Sequence, residues 1–179
     1  MQRFSKFIFN TLLGWKLVGN FPSDLKKYVV IAAPHTSWLD FPIAILARNS
    51  TGEKIDFIGK DSLFKGPFGW VFKALGGTPV DRSKSNNLVD AIVDIFNSKD
   101  EFRLGISPEG TRKKVDRWKT GFYYIAKGAR VPIVMATLDF ENKQIQISEP
   151  YDTTDDKEKD FKVFHSFYLG VRGKHAKLS

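Results

Sequence analysis

The chain has 179 residues, 42% of them hydrophobic, and sets 28 Lys and Arg against 20 Asp and Glu for a net charge of +8. That length holds one domain with a real core and not two comfortable ones, and the hydrophobic share with mixed charges excludes a disordered chain. There is no cysteine, which excludes disulfides, thiolate metal sites and a cysteine nucleophile.

The charge excess implies an anionic partner: phospholipid headgroups, nucleic acid or a phosphorylated substrate. In the first 27 residues Arg3, Lys6, Lys16, Lys26 and Lys27 face only Asp24, and the tail adds Arg172, Lys174 and Lys177. The chain carries 16 Phe and 4 Trp, many beside glycine or lysine. This suits a lipid interface better than a polar nucleic-acid surface. No RNA-binding aromatic motif is present, so no nucleic-acid partner is expected. No apolar run approaches the roughly 18–20 residues that span a bilayer. Asn10 and Lys16 interrupt the signal-like start and no small-residue cleavage site follows, so the N-terminus is expected to be retained.

Residues 3–18 read as an amphipathic helix. Phe4, Phe7, Ile8, Thr11, Leu12 and Trp15 fall on one stripe at 100° per residue, opposite Arg3, Lys6 and Asn10, with Phe9 and Leu13 widening the apolar arc. Two readings fit: a helix packed on the domain, or one lying in a membrane interface. Phe21-Pro22-Ser23 ends it, giving an N-terminal segment over 1–22 and a main domain over 23–179.

From there strand and helix alternate. Tyr28 to Ala33 is an apolar strand, and Trp38 to Arg48 a helix with Pro42 in its first turn. Lys54 to Gly59 is a strand, Phe68 to Leu75 a helix, and Gly77 to Val80 a short extended piece. Asn86 to Asn97 is a helix, Phe102 to Ser107 a strand, Trp118 to Lys127 a helix and Val131 to Leu138 a buried strand. Ile145 to Ile147 reads as an edge strand and Asp156 to Leu169 as a last helix, with Asp152 to Asp160 a solvated connection. The pattern predicts an α/β domain with a largely parallel central sheet flanked by helices.

In such folds the loops leaving the C-terminal ends of strands build the site. Three segments fall there: His35 to Asp40, Gly76 to Arg82, and Ser107 to Arg112. On an unbroken helix His35 and Asp40 would diverge by about 140°. A turn with the helix starting after His35 lets the carboxylate reach back, fix the ring tautomer and leave the other nitrogen as a base. Chance pairing of this kind is common with three His and fourteen Asp, and the position after a strand is what raises it. Glu109-Gly110-Thr111-Arg112 is either an ordinary surface turn or a phosphate site, since glycine permits close approach and arginine gives a forked cationic match. Gly76-Gly77 with Asp81-Arg82 stands equally between a surface ion pair and a phosphate contact. Leu63 to Trp70 is dense in aromatics. It is core by default, or else Phe64, Phe68 and Trp70 line an acyl channel or dip into lipid.

No G-x-S-x-G elbow, Walker A loop or H-E-x-x-H motif occurs. No metal site is expected. A base acting directly on a substrate hydroxyl is the simplest reading.

These blocks, with Val131-Pro132-Ile133-Val134 as a fourth, resemble the glycerophospholipid acyltransferases, typified by 1-acyl-glycerol-3-phosphate acyltransferase. All four occur in order over about 100 residues, and the joint match is specific where each piece alone is not. The second proline of the fourth block is replaced, and Pro34 stands where asparagine is frequent, which leaves the acceptor open. The resemblance implies an α/β acyltransferase domain and a membrane-facing N-terminal element. It makes His35 the base that deprotonates the acceptor and Asp40 its orienting carboxylate. Lys60, Arg82, Glu109, Gly110, Thr111 and Arg112 would hold the acceptor phosphate. Phe4, Phe7, Ile8, Leu12, Trp15, Phe64, Phe68 and Trp70 would meet membrane or acyl chain. The expected partners are a lyso-phospholipid acceptor, acyl-CoA or acyl carrier protein as the donor with no bound cofactor, and an anionic membrane surface on its cytoplasmic face. The competing readings are another lyso-lipid acceptor, a lipid thioesterase on the same scaffold, or a non-catalytic module that binds anionic membranes.

Overall fold

The run Lys27–Ala33 (β2) is apolar at consecutive positions because both its faces are covered, as a central parallel strand requires. In the computed structural model, which describes residues 2–80 and 88–178 except the side chains of Lys60 and Leu63, β2 is an interior strand of a five-stranded sheet, paired on both sides. The other strands are Asp56–Lys60 (β3), Gly77–Val80 (β4), Phe102–Ile106 (β5) and Ile133–Thr137 (β6), in the order β4-β3-β5-β2-β6. Every pairing is parallel, so the chain belongs to the α/β class with a central parallel sheet flanked by helices.

The twofold alternation along the strands feeds two separate cores. Val29, Ile31, Ile133 and Met135 point one way, onto helices Leu88–Ser98 (α5), Gly121–Ala129 (α6) and Lys157–Phe167 (α7), where Phe96, Phe122 and Phe164 are buried. Tyr28, Val30, Val134 and Ala136 point the other way, toward Ile43 and Ala47 of helix Asp40–Thr51 (α2). Pro42 sits in the first turn of α2, where a helix has no intrahelical use for the missing N–H. Short helices Asp61–Lys65 (α3), which periodicity did not reveal, and Gly69–Ala74 (α4) connect β3 to β4. Among the described residues no helix is long and apolar enough to cross a membrane.

Three expectations need correction. The N-terminal helix stops early: Gln2–Lys6 (α1) is α-helical, Phe7–Leu12 continues as a π-helical turn, and Lys16–Val18 (β1) is a strand. The helix is also rotated relative to the predicted packing. Phe9, placed off the stripe, is fully buried and Trp15 joins the same core, while Phe4, Phe7 and Leu12 are exposed. The predicted edge strand is Gln144–Gln146 (β7), and it pairs in parallel with β1 in a small sheet of its own rather than closing the main one. Finally, the charged stretch Asp152 to Asp160, which runs into α7, is not all solvated. Asp160 is fully buried and accepts hydrogen bonds from the hydroxyls of Tyr123 (3.0 Å), Tyr151 (2.7 Å) and Thr154 (2.8 Å) and from the Thr154 amide (2.8 Å). Charge patterning counts residues and cannot see such donors, which come from 6 to 37 residues away.

Burial pushes the Asp160 carboxyl up, but the hydrogen bonds from Tyr151, Thr154 and Tyr123 outweigh it and hold the group below the ordinary carboxylate range. Its stabilisation is therefore complete above the unfolded carboxyl value and is lost as pH falls through the lower folded one. Asp160→Ala is expected to cost about 3 kcal/mol, since it strands buried hydroxyls. Urea unfolding from pH 7 to pH 3 should show the variant losing less stability on acidification than the parent.

Candidate active site

Strands β2 and β5 are neighbours in register, Ile31 beside Ile106, so the loops that leave them start side by side. The first carries His35 and the second Glu109. Their meeting is direct: the His35 backbone N–H donates to Glu109 Oε2 at 2.6 Å. Helix α2 then begins at Asp40 itself, and the turn before it folds the carboxylate back. His35 Nδ1 lies 2.9 Å from Asp40 Oδ2. The same oxygen accepts the amides of Thr36 and Ser37, each at 2.8 Å. Asp40 is 2% exposed, whereas the His35 side chain is 28% exposed. With Nδ1–H donated to the carboxylate, Nε2 is left with its lone pair toward the accessible side. The geometry provides an oriented base.

Glu109 differs from its expected role. It is buried and turned onto the His35 amide, and it does not line the adjoining cavity, so it holds the loop rather than a phosphate. Burial raises its pKa above the ordinary carboxylate value, with the His35 amide and ring working the other way.

A cavity of about 600 Å³ opens beside His35, lined by Ser107, Gly110, Thr111, Arg112 and Lys119 and backed by Ile92 and Ile125. Its far side reaches Gly121, the first residue of α6, whose N-terminal dipole end favours an anion. Gly110 has φ +65°, and a Cβ there would stand 2.9 Å from Lys119 Nζ, so the Lys119 side chain lies across the turn. Lys119 was not singled out from the sequence. It sits at the start of a predicted helix, ten residues beyond Glu109, and the Lys119 N–H to Pro108 O bond (2.9 Å) ties it back to that turn. A second cavity of about 320 Å³ lies between α2 and the sheet. It is bordered by His35 and Asp40 at one end and mostly by apolar side chains beyond, among them Phe41, Ala44, Phe57 and Ile145.

The structure thus brings together His35, Asp40, Glu109, Gly110, Thr111 and Arg112. Arg82 and the Lys60 side chain lie outside the described residues. Phe64 is buried with its ring edge-on to Phe72, and Trp15 is core, so neither is at a lipid surface. Ile8 is half-buried. Phe68 and Trp70 are exposed, and the linings of the two cavities described do not include them or Phe64. Trp38, 68% exposed and three residues from His35, is an apolar surface group the helical stripe gave no reason to single out.

Because the His35 amide has Glu109 as its partner, Glu109→Ala is expected to destabilise the fold by about 1–3 kcal/mol. Glu109→Gln keeps an acceptor and removes the buried charge. A raised carboxyl pKa means the folded state binds its proton more tightly, so the parent loses stability as pH rises from the unfolded value through the folded one. Urea unfolding at pH 4 and pH 8 should show that this loss is absent in Glu109→Gln.

The family model described as Acyltransferase matches residues 16–138. No curated protein sequence matches the chain. Among solved structures, the crystal structure of the 1-acyl-sn-glycerophosphate (LPA) acyltransferase PlsC from Thermotoga maritima is similar at a TM-score of 0.65 and 25% identity, covering 93% of this chain and 74% of that one. The matched stretch runs from β1 to the residue after β6 and contains His35, Asp40 and the whole Glu109–Arg112 turn. Ordered blocks, parallel sheet and paired His35–Asp40 loop therefore coincide, and the chain belongs to the acyltransferase family, within the glycerophospholipid acyltransferases.

Proposed function

We propose that the protein moves a fatty acyl group from an acyl thioester to the free hydroxyl of a lyso-phospholipid, with 1-acyl-glycerol-3-phosphate as acceptor and phosphatidic acid as product. The observation that carries this reading is the position of His35, held by Asp40 at 2.9 Å and bordering both cavities. One cavity is walled by Arg112, Lys119 and the α6 N-terminus and suits a phosphate, while the other is mostly apolar and suits an acyl chain.

His35 Nε2 takes the proton of the acceptor hydroxyl as its oxygen bonds to the thioester carbonyl carbon. The imidazolium so formed is stabilised by Asp40. Collapse of the tetrahedral intermediate breaks the carbon–sulfur bond. The thiolate leaves and recovers the proton from His35. A thiol pKa of about 8.5 makes this departure easy, which is why one base suffices. The donor carrier is coenzyme A or acyl carrier protein.

The same reading places the protein on the cytoplasmic face of an anionic membrane. Its support is the outer face of the N-terminal helix, where Phe4, Phe7 and Leu12 are exposed with Arg3 and Lys6 beside them, together with exposed Phe68 and Trp70.

His35→Ala is expected to abolish thiol release that depends on lyso-phospholipid, with the thermal midpoint unchanged. In Asp40→Asn the amide oxygen can stay on the Thr36 and Ser37 amides and Nδ1 without the charge that holds the imidazolium, or flip to set NH₂ against Nδ1, favouring the wrong tautomer and losing both amides. By analogy with the serine hydrolase triad, kcat should fall by up to about 10⁴-fold. Product mass spectrometry with a lyso-lipid panel and both donor types checks this. Retained transfer in His35→Ala overturns the mechanism, and thiol release that needs no acceptor points to a thioesterase. Replacing Phe4, Phe7 and Leu12 with Ser should weaken co-sedimentation with phosphatidylglycerol vesicles by more than about tenfold, each ring or branched chain being worth about 1.5–3 kcal/mol when fully buried. Unchanged sedimentation overturns the membrane assignment.

A further inference from the structure

The catalytic loop is held from a direction that the acyltransferase match, ending at residue 138, does not include. After α7 the chain returns across the sheet. The Tyr168 hydroxyl donates to Ile31 O at 2.5 Å and accepts the Ala136 N–H at 3.2 Å, joining β2 to β6 two residues before the strand ends. Four residues on, Arg172 O accepts the Phe140 N–H at 2.9 Å. Gly173 then lies flat against the catalytic loop. A Cβ there would stand 2.5 Å from Thr36 Oγ1 and 3.1 Å from Pro34 Cγ, so any larger residue forces the Thr36 side chain to shift. The His175 N–H donates to Thr36 Oγ1 at 3.2 Å.

Thr36 is therefore gripped on two sides. Its hydroxyl meets the tail, and its amide donates to the Asp40 oxygen that also holds His35 Nδ1. Its side chain is 3% exposed, covered in part by the tail. The segment between Ala33 and Asp40 has no ladder of its own to set its path. Fixing Thr36 fixes the direction of its amide, and with it the carboxylate on which the imidazole rests.

We propose that the C-terminal segment Gly173–His175 positions the catalytic base, with Thr36 as the positioning residue through which it acts. The segment touches no reacting atom. It works by restricting the His35–Asp40 turn to the one geometry in which Nδ1 carries the proton. This rests on the reading of His35 as the base of acyl transfer.

Three variants of the full chain separate this from a structural role: Thr36→Val removes the acceptor, Thr36→Ser keeps it, and a stop after Arg172 removes the tail while sparing the Phe140 contact. Thr36→Val and the truncation are expected to lower kcat roughly 10- to 100-fold with KM within about twofold, and Thr36→Ser to stay within about threefold of the parent, as for misplacement of a group near 1 Å. Ring ¹⁵N shifts of His35 at pH 8 give a readout that needs no turnover: a Nδ1-protonated ring in the parent and in Thr36→Ser, and a tautomer mixture in the other two. Unchanged kcat and tautomer in the truncated chain overturn the proposal. So does a loss of activity in Thr36→Val with the parent tautomer retained. If the parent itself transfers no acyl group, the functional reading fails, and the ¹⁵N comparison still decides the positioning role.

Discussion

One oxygen organises the site. Asp40 Oδ2 collects the amides of Thr36 and Ser37 and the Nδ1 of His35 within 2.9 Å, in a place closed to solvent. A carboxylate so buried would be costly without donors, and charge-assisted hydrogen bonds are what offset that cost. The position of Asp40 as the first residue of α2 adds the favourable end of the helix dipole. Because two of the three donors are backbone amides of the loop itself, the turn and the base orientation are one structure. The carboxylate cannot hold the imidazole without also folding residues 35 to 39.

The second carboxylate, Glu109, does the complementary work from the neighbouring strand. It grips the amide of the same histidine whose ring Asp40 grips. The loops after β2 and β5 are thus tied at a single residue, and the parallel register of those strands makes the tie short. Both acids meet His35, one at its ring and one at its amide, while Arg112 and Lys119 line the cavity beside it. Negative charge is kept inside, against the base. Positive charge is kept at the wall where an anionic acceptor would rest.

Much of this was legible in the sequence, for a specific reason. Strand–helix alternation and the position of a polar motif right after an apolar run are local signals, and they placed His35, Asp40 and Glu109 at one sheet edge. The inward turn of Glu109 was not legible, because a Glu-Gly-Thr-Arg string looks the same whether its acid faces a phosphate or a backbone amide 74 residues away. Lys119, Asp160 and the tail contact at Thr36 were hidden likewise, each depending on a partner brought close only by the fold. The N-terminal stripe was legible only in part. Its period was right for a helix, but a stripe does not say which side is covered, and here Phe9 and Trp15 take the core while the more regular apolar face looks outward.

That outward face has a mechanical consequence. Gln2 of α1 donates to Ser50 O and packs at Gly52, so the N-terminal helix is laid along α2 from its C-terminal end. The other end of α2 is Asp40. A bilayer touching Phe4, Phe7 and Leu12 would therefore be indexed to Asp40 through one rigid helix of 12 residues, about 18 Å long. For an acceptor whose acyl chain stays in the lipid, what matters is the height of its hydroxyl above the surface. In the proposed reading α2 is the ruler that matches that height to Nε2.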